Sequence, residues 1–135
     1  MGMLQVTVRV ERPDNPDRFF SEKFWVDTGA LYTFVPEDRL HALEIEPMYS
    51  RDLILADGRR ERRLLGEARL SIEQLGESIT CPIIFAPPGS LYLLGATALE
   101  AFGADVDPTT RRLRPIPSII GGFSASAGSY SPDVR

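Results

Sequence analysis

The sequence predicts a mostly β protein, a small closed or nearly closed barrel with one or two short helices. Several short segments alternate apolar and polar residues, or are apolar throughout, as strands do. Turn-forming Gly, Pro, Asp and Asn residues separate these segments at short intervals. Only two segments, one after Pro36 and one after Gly95, have the composition of a helix, and both are short.

The first part of the chain is predicted to form a hairpin, a strand and a helix. Apolar residues at every second position of residues 4–10 predict a half-buried strand, and a turn at residues 12–17 leads back along residues 18–26. Residues 31–35 are again strand-like. A helix follows from Pro36, because proline suits the first helical position and acidic residues suit its positive end. Its apolar side is predicted to consist of Leu40, Leu43 and Ile45.

The middle of the chain is predicted to form a longer hairpin and a buried strand. Residues 51–56 and 59–72 are expected to pair, because the Asp57-Gly58 dipeptide between them is a strong hairpin signal. Gly66 suggests a bulge in the second of these strands. Residues 78–85 form an apolar run that is typical of a buried strand.

A strand, a helix and a last hairpin are predicted near the end of the domain. Residues 91–94 are apolar throughout and stop at Gly95. Residues 96–102 have the composition of a short helix, which Gly103 ends. Residues 105–113 place a Pro-Thr-Thr turn between two short segments and predict a hairpin.

Length and charge limit the classes of function. A chain of 135 residues forms one domain, predicted at residues 1–116, and residues 117–135 form a Gly/Ser/Ala-rich C-terminal tail in which only Ile119 and Ile120 are expected to dock. The net charge of −4 argues against a nucleic-acid partner. The arginines within residues 59–63 are expected to lie on solvated strand faces, because acidic residues interleave them.

The scarcity of cysteine and histidine argues against a disulfide and against a zinc site. Cys81 is the only cysteine, so no intrachain disulfide forms, and its apolar neighbours predict a buried, inert thiol. His41 is the only histidine and is expected at the surface, which leaves little material for a zinc site. We therefore expect no metal and no cofactor. The sequence shows no signal peptide and no membrane-spanning run, so a cytoplasmic protein without a membrane partner is expected.

The chain is organised around residues 24–35, where an Asp27-Thr28-Gly29 turn lies between two apolar runs. An unpaired carboxylate at the end of a buried strand is costly. Asp27 therefore needs a partner, which is a backbone amide, a hydroxyl, or a second carboxylate that shares a proton. Gly29 is free to take a positive φ. The simplest alternative is an ordinary strand-ending turn, since all three residues are common in turns.

Three motifs in this order resemble the retropepsin-like aspartic proteases, and bacterial and archaeal single-domain members most of all. Val26-Asp27-Thr28-Gly29-Ala30, with Thr33 behind it, resembles the active-site loop of that family. Leu93-Leu94-Gly95-Ala96 resembles its apolar-apolar-Gly segment, and residues 55–59 lie where it has the flap hairpin. The resemblance covers residues 4–114 and implies a closed retropepsin-type β-barrel.

The resemblance also implies roles for individual residues. Asp27 would be the catalytic carboxylate, Thr28 would brace the opposing loop, and Gly29 would leave room for the substrate backbone. The remaining predicted site residues are Ala30 in the active-site loop, Leu31, Tyr32, Ala56, Asp57 and Gly58 along the cleft and flap, and Leu93, Leu94 and Gly95 as support. The chain departs from viral members in two ways: its flap is not glycine-rich, and Leu31 and Tyr32 stand where those enzymes carry acidic residues.

Peptide hydrolysis of this kind needs two carboxyl groups, one to take a proton from water and one to donate to the carbonyl. The chain has a single Asp-Thr-Gly, so the second Asp27 would come from another copy, and the expected active form is a homodimer that cleaves a peptide or protein substrate. One alternative is a non-catalytic dimerisation or peptide-binding module on the same fold. Another is an unrelated barrel in which Asp27 caps a turn.

Overall fold

The computed structural model describes residues 4–117. Within this part of the chain there are nine strands and two helices, which confirms the predicted mostly β class. The elements are β1 (Gln5–Arg12), β2 (Asn15–Val26), β3 (Thr33–Pro36), α1 (Glu37–Ala42), β4 (Tyr49–Ile54), β5 (Arg60–Ile72), β6 (Glu77–Ala86), β7 (Leu93–Leu94), α2 (Ala96–Phe102), β8 (Ala104–Asp107) and β9 (Arg112–Pro115).

Six strands pair in a closed ring, as the sequence predicted. The order is β1-β2-β7-β3-β6-β5, and β5 pairs again with β1. Each of these strands is therefore paired on both sides over at least part of its length. β4 lies outside the ring, because it pairs with β5 alone and forms a two-stranded arm with it. β8 and β9 form a separate hairpin.

The core lies inside the ring and follows the alternation of the strands. Val6, Val8 and Val10 of β1 are buried, whereas the residues between them are partly exposed. Leu40 of α1 is also buried; Leu43 and Ile45 are buried too, but they follow the end of the helix and do not form its apolar side as predicted. α2 buries Ala98, Leu99 and Phe102 and ends at Gly103, whose φ of 61° is left-handed, so the predicted limits of this helix are confirmed.

Some local predictions differ from the structure. β2 begins at Asn15, so the first turn is shorter than predicted. Pro36 precedes α1 as its N-cap and does not form its first residue. Gly66 forms no bulge: it pairs with Ile83 in an unbroken register. A Cβ at Gly66 would lie 3.0 Å from both the Glu46 carbonyl oxygen and a ring carbon of Phe85, so this glycine provides room for close packing.

The single cysteine and the single histidine lie where they were predicted. Cys81 is buried, and burial raises the pKa of its thiol to about 11. His41 is exposed. Within residues 4–117, neither helix combines the length and apolar character that a membrane crossing needs. The predicted tail, including Ile119 and Ile120, lies outside the described residues except for its first residue, so the domain boundary stays a prediction.

Candidate active site

Asp27 directly follows β2, where that strand runs parallel to β7. Trp25 pairs with Leu93, and Val26 pairs with Leu94. The backbone N–H of Asp27 then donates to the carbonyl of Leu94 at 2.9 Å. The Asp-Thr-Gly turn is therefore fastened at its first residue to the apolar segment that the sequence placed in a supporting role.

The loop of residues 27–32, called the Asp27 loop below, packs directly on Gly95. A Cβ at Gly95 would lie 2.1 Å from the carbonyl oxygen of Tyr32 and 2.9 Å from that of Ala30, so no larger residue fits there. The backbone φ of Gly95 is −96°, and the requirement for glycine is therefore one of space. Its N–H donates to the buried hydroxyl of Thr33 at 3.1 Å.

The first residues of α2 hold the same loop from its other side. The N–H of Ala96 donates to the Ala30 carbonyl at 2.7 Å. Thr97 donates twice to the Leu31 carbonyl, from its N–H at 2.9 Å and from its hydroxyl at 2.8 Å. Because three successive residues from Gly95 onward bind the loop, its backbone is held closely, as a preorganised site requires.

The side chain of Asp27 is half-buried, and its partner is a backbone amide. The N–H of Gly29 donates to Oδ1 at 3.0 Å, and the N–H of Ala30 donates to the Asp27 carbonyl at 3.1 Å. Thr28 and Gly29 are both exposed. Gly29 does not have the positive φ that the sequence had suggested, so this turn does not depend on a left-handed residue.

Two solved structures have the same fold. One is a retropepsin-like aspartic protease from Rickettsia conorii, at 19% identity and a TM-score of 0.51 over 78% of this chain and 88% of that chain. The other is the foamy viral protease-reverse transcriptase in complex with an RNA/DNA hybrid, at 14% identity and a TM-score of 0.51. That match covers 86% of this chain and 13% of the viral chain. No family model and no curated protein matches the sequence.

The fold is retropepsin-like. Identities this low establish the fold alone, and the expected likeness to bacterial and archaeal members stays a prediction.

An apolar groove of about 350 Å³ lies between the β4–β5 arm and the segment that leads into β7. Leu93 forms part of its lining and pairs with Trp25, two residues before Asp27, so the groove adjoins the Asp27 loop. The sequence did not single out most of the lining. The sequence signal that could have found it is Leu91, an apolar residue directly after a Pro- and Gly-rich segment; in the structure this residue is 62% exposed. The lining residues are Phe34, Leu53, Leu55, Glu61, Arg63, Ala86, Pro87, Ser90, Leu91 and Leu93.

The tip of the β4–β5 arm is the hairpin that the sequence predicted as a flap. The N–H of Leu55 donates to the backbone carbonyl of Arg59 at 2.8 Å. The N–H of Gly58, whose φ is 86°, donates to the backbone carbonyl of Leu55 at 2.9 Å. The loop thus contains Ala56, Asp57 and Gly58, one residue more than a tight Asp-Gly turn. All three are exposed, and none of them lines the groove, to which the arm contributes Leu53 and Leu55 instead.

Asp57 holds this tip together. Its carboxylate accepts the backbone N–H of Arg59 at 3.0 Å and the Nε–H of the same residue at 2.7 Å. The backbone hydrogen bond, and after it the side-chain bond, hold the pKa of Asp57 below its usual value. Asp57 is therefore an ionised capping residue of this hairpin tip.

Arg63 corrects the expectation that the arginines of this arm lie on solvated faces. Its side chain is only 19% exposed, and its Nε–H donates to the carbonyl of Phe85 at 2.9 Å. Its two terminal nitrogens lie 3.5 Å from Glu37 and 3.6 Å from Glu61. Arg63 therefore ties the arm to β6 and to the start of α1 at one end of the groove.

Proposed function

We propose that this protein is an aspartic endopeptidase that acts as a homodimer, with Asp27 of each copy as a catalytic carboxylate. The observation that carries the proposal is the set of hydrogen bonds that holds the Asp27 loop in place. Its backbone is bound by Leu94, Ala96 and Thr97, while the carboxylate stays partly accessible beside an apolar groove. A turn that served only to end a strand would need no such support.

The chemistry follows from two carboxyl groups at close range. Two such groups cannot both ionise, so they share one proton. The ionised partner takes a proton from the attacking water, and the protonated partner donates to the substrate carbonyl as it becomes tetrahedral. The pair therefore supplies a base and an acid from the same residue type.

A homodimer is the economical source of the second carboxylate. The sequence holds one Asp-Thr-Gly, and a twofold axis through the loop would bring Asp27 to face its own copy. Thr28 and Gly29 are exposed in the single chain, as residues at such an axis must be. Because the groove beside the loop is apolar, we propose that the substrate carries apolar side chains near the scissile bond.

The test is cleavage of an unfolded protein by wild type and by Asp27→Asn, from roughly pH 4 to pH 7, where carboxyl groups with raised pKa values titrate. We expect cleavage by wild type alone, strongest at the acidic end. Equal cleavage by both proteins would reject the role of Asp27 and point to a contaminating protease. Binding of the unfolded protein without cleavage would favour the non-catalytic module.

The dimer is tested by sedimentation at tens of micromolar protein. A wild-type monomer, together with an Asp27→Ala variant of unchanged stability, would favour a residue that merely caps a turn. A dimer whose activity falls with dilution would support the shared site, because each half of the catalytic pair is then lost on dissociation.

A further inference from the structure

The β4–β5 arm has two faces, and its pairing shows which residues share the groove face. Leu53 pairs with Glu61, and Arg51 pairs with Arg63. Residues directly opposite each other in an antiparallel pair lie on the same face, and so do residues two apart along a strand. Leu53, Glu61 and Arg63 line the groove. Arg51 therefore lies on the groove face of the arm, one step beyond its apolar lining.

The two arginines of this pair have different surroundings. Like charges directly opposite each other are unfavourable, so at least one of them needs compensation. Arg63 has it, from Glu37 and Glu61. Arg51 is exposed, and within residues 4–117 it forms no ion pair with a carboxylate. Within the described residues, the groove face of the arm thus carries one cation without a carboxylate partner; its guanidinium carbon lies 5.7 Å from the centre of the Tyr49 ring.

Arg51 also contacts the loop that follows Asp27. Its Nε–H donates to the hydroxyl oxygen of Tyr32 at 3.3 Å, and one terminal nitrogen donates to the Ser50 carbonyl at 3.0 Å. The other terminal nitrogen keeps its two hydrogens. Because the Tyr32 oxygen accepts from Arg51, its own hydrogen remains to be donated. Two donors, one of them charged, therefore lie side by side at the end of the groove.

We propose that Arg51 and Tyr32 form a subsite for a carboxylate, so that the enzyme prefers peptides with an acidic side chain. The inference rests on the proposed endopeptidase and names its substrate class. A planar guanidinium is suited to a carboxylate, and its bonds to an ionised acceptor are stronger than those to a neutral one. The whole chain carries a charge of −4 and repels acidic peptides, so a local cation is needed to bind them.

The spacing of the preferred sequence follows from the arm. Arg51 and Leu53 lie two residues apart on one strand face, about 6 to 7 Å along it. An extended peptide beside the arm repeats the same spacing between its residues i and i+2. The acidic side chain is therefore expected two positions from the apolar side chain that fills the groove.

Binding is measured first, with the Asp27→Asn variant, so that no peptide is cut. The probes are fluorescein-labelled peptides with a central Leu-Phe pair. Each peptide carries Glu, Gln or Lys at a position two residues before or two residues after one of these two apolar residues. At about pH 6, where Glu is ionised, we expect the better Glu peptide to bind about fivefold more tightly than its Gln counterpart, the upper end for an exposed ion pair. Added salt should reduce this preference.

Variants of the arm distinguish a specific carboxylate subsite from nonspecific electrostatic attraction between the peptide and the arm. In the Asp27→Asn background, Arg51→Gln should abolish the Glu preference, Arg51→Glu should turn it into a Lys preference, and Tyr32→Phe should weaken it. Arg60→Gln is the matched control, because Arg60 is exposed on the same arm but pairs with Ile54, on the opposite face. An equal loss in Arg60→Gln and Arg51→Gln would overturn the subsite.

Cleavage of the same peptides by wild type separates this inference from the proposed function. Cleavage of the Glu and Gln peptides at equal kcat/KM, with equal affinities, would overturn the subsite and leave the endopeptidase standing. Absence of cleavage, with an Arg51-dependent Glu preference in binding, would reject the endopeptidase and leave a carboxylate-binding cleft. A higher kcat/KM for the Glu peptide in wild type, lost in Arg51→Gln, would support both.

Discussion

Replacing Gly95 by alanine should separate the Asp27 loop from α2. The added Cβ would lie 2.1 Å from the Tyr32 oxygen, 2.5 Å from the Tyr32 carbonyl carbon and 2.9 Å from the Ala30 oxygen. All three atoms belong to the backbone, so no side-chain rotation relieves the contact. A carbon and a carbonyl oxygen need about 3.3 Å, so the loop must move by roughly 1 Å.

The cost follows from that displacement. Overpacking of this kind costs about 1–3 kcal/mol. The same shift weakens the bonds from Gly95 to Thr33 and from Ala96 to Ala30, each worth about 1 kcal/mol. We therefore expect a loss of about 3–5 kcal/mol in the free energy of unfolding, which lowers the melting temperature of a domain of this size by about 10 °C or more.

Gly29→Ala is the matched control, because it makes the same chemical change in the loop that Gly95 contacts. The nearest atom to its added Cβ is Oδ1 of Asp27 at 3.4 Å, an ordinary contact. Thermal unfolding followed by circular dichroism should therefore show Gly29→Ala within about 3 °C of wild type. A Gly95→Ala protein that melts as close to wild type as Gly29→Ala would refute the packing argument.

Three further outcomes are expected. Thr33→Val should cost about 1–3 kcal/mol in urea unfolding, and Thr33→Ser much less, because valine leaves the buried N–H of Gly95 without its acceptor. Burial raises the pKa of Cys81 from 9.0 to about 11, so a thiol-reactive dye should label only unfolded protein near neutral pH; stability should fall as pH rises above 9.0, a slope that Cys81→Ala reduces. Asp27→Asn should keep or strengthen the dimer in sedimentation, because it removes like-charge repulsion; dissociation would mean that the interface lies elsewhere.

The local structure around the site is largely visible in the sequence. The period of two in Val6, Val8 and Val10 predicts β1 and the face that it buries, and Gly103 marks the end of α2. The Asp-Thr-Gly turn and the Asp57-Gly58 hairpin are found from their turn chemistry. Each of these features depends on a few neighbouring residues, so each is encoded within the segment that forms it.

Contacts between distant segments came only from the folded chain. The sequence contains both Tyr32 and Gly95 but does not show that they touch, and it does not distinguish the inward Arg63 from the exposed Arg62. The contact between Arg51 and Tyr32 likewise joins two elements that the sequence leaves separate. Such contacts depend on how the strands close into a ring and on which face of the arm meets the groove. Register and closure are properties of the whole core, so no single segment carries them.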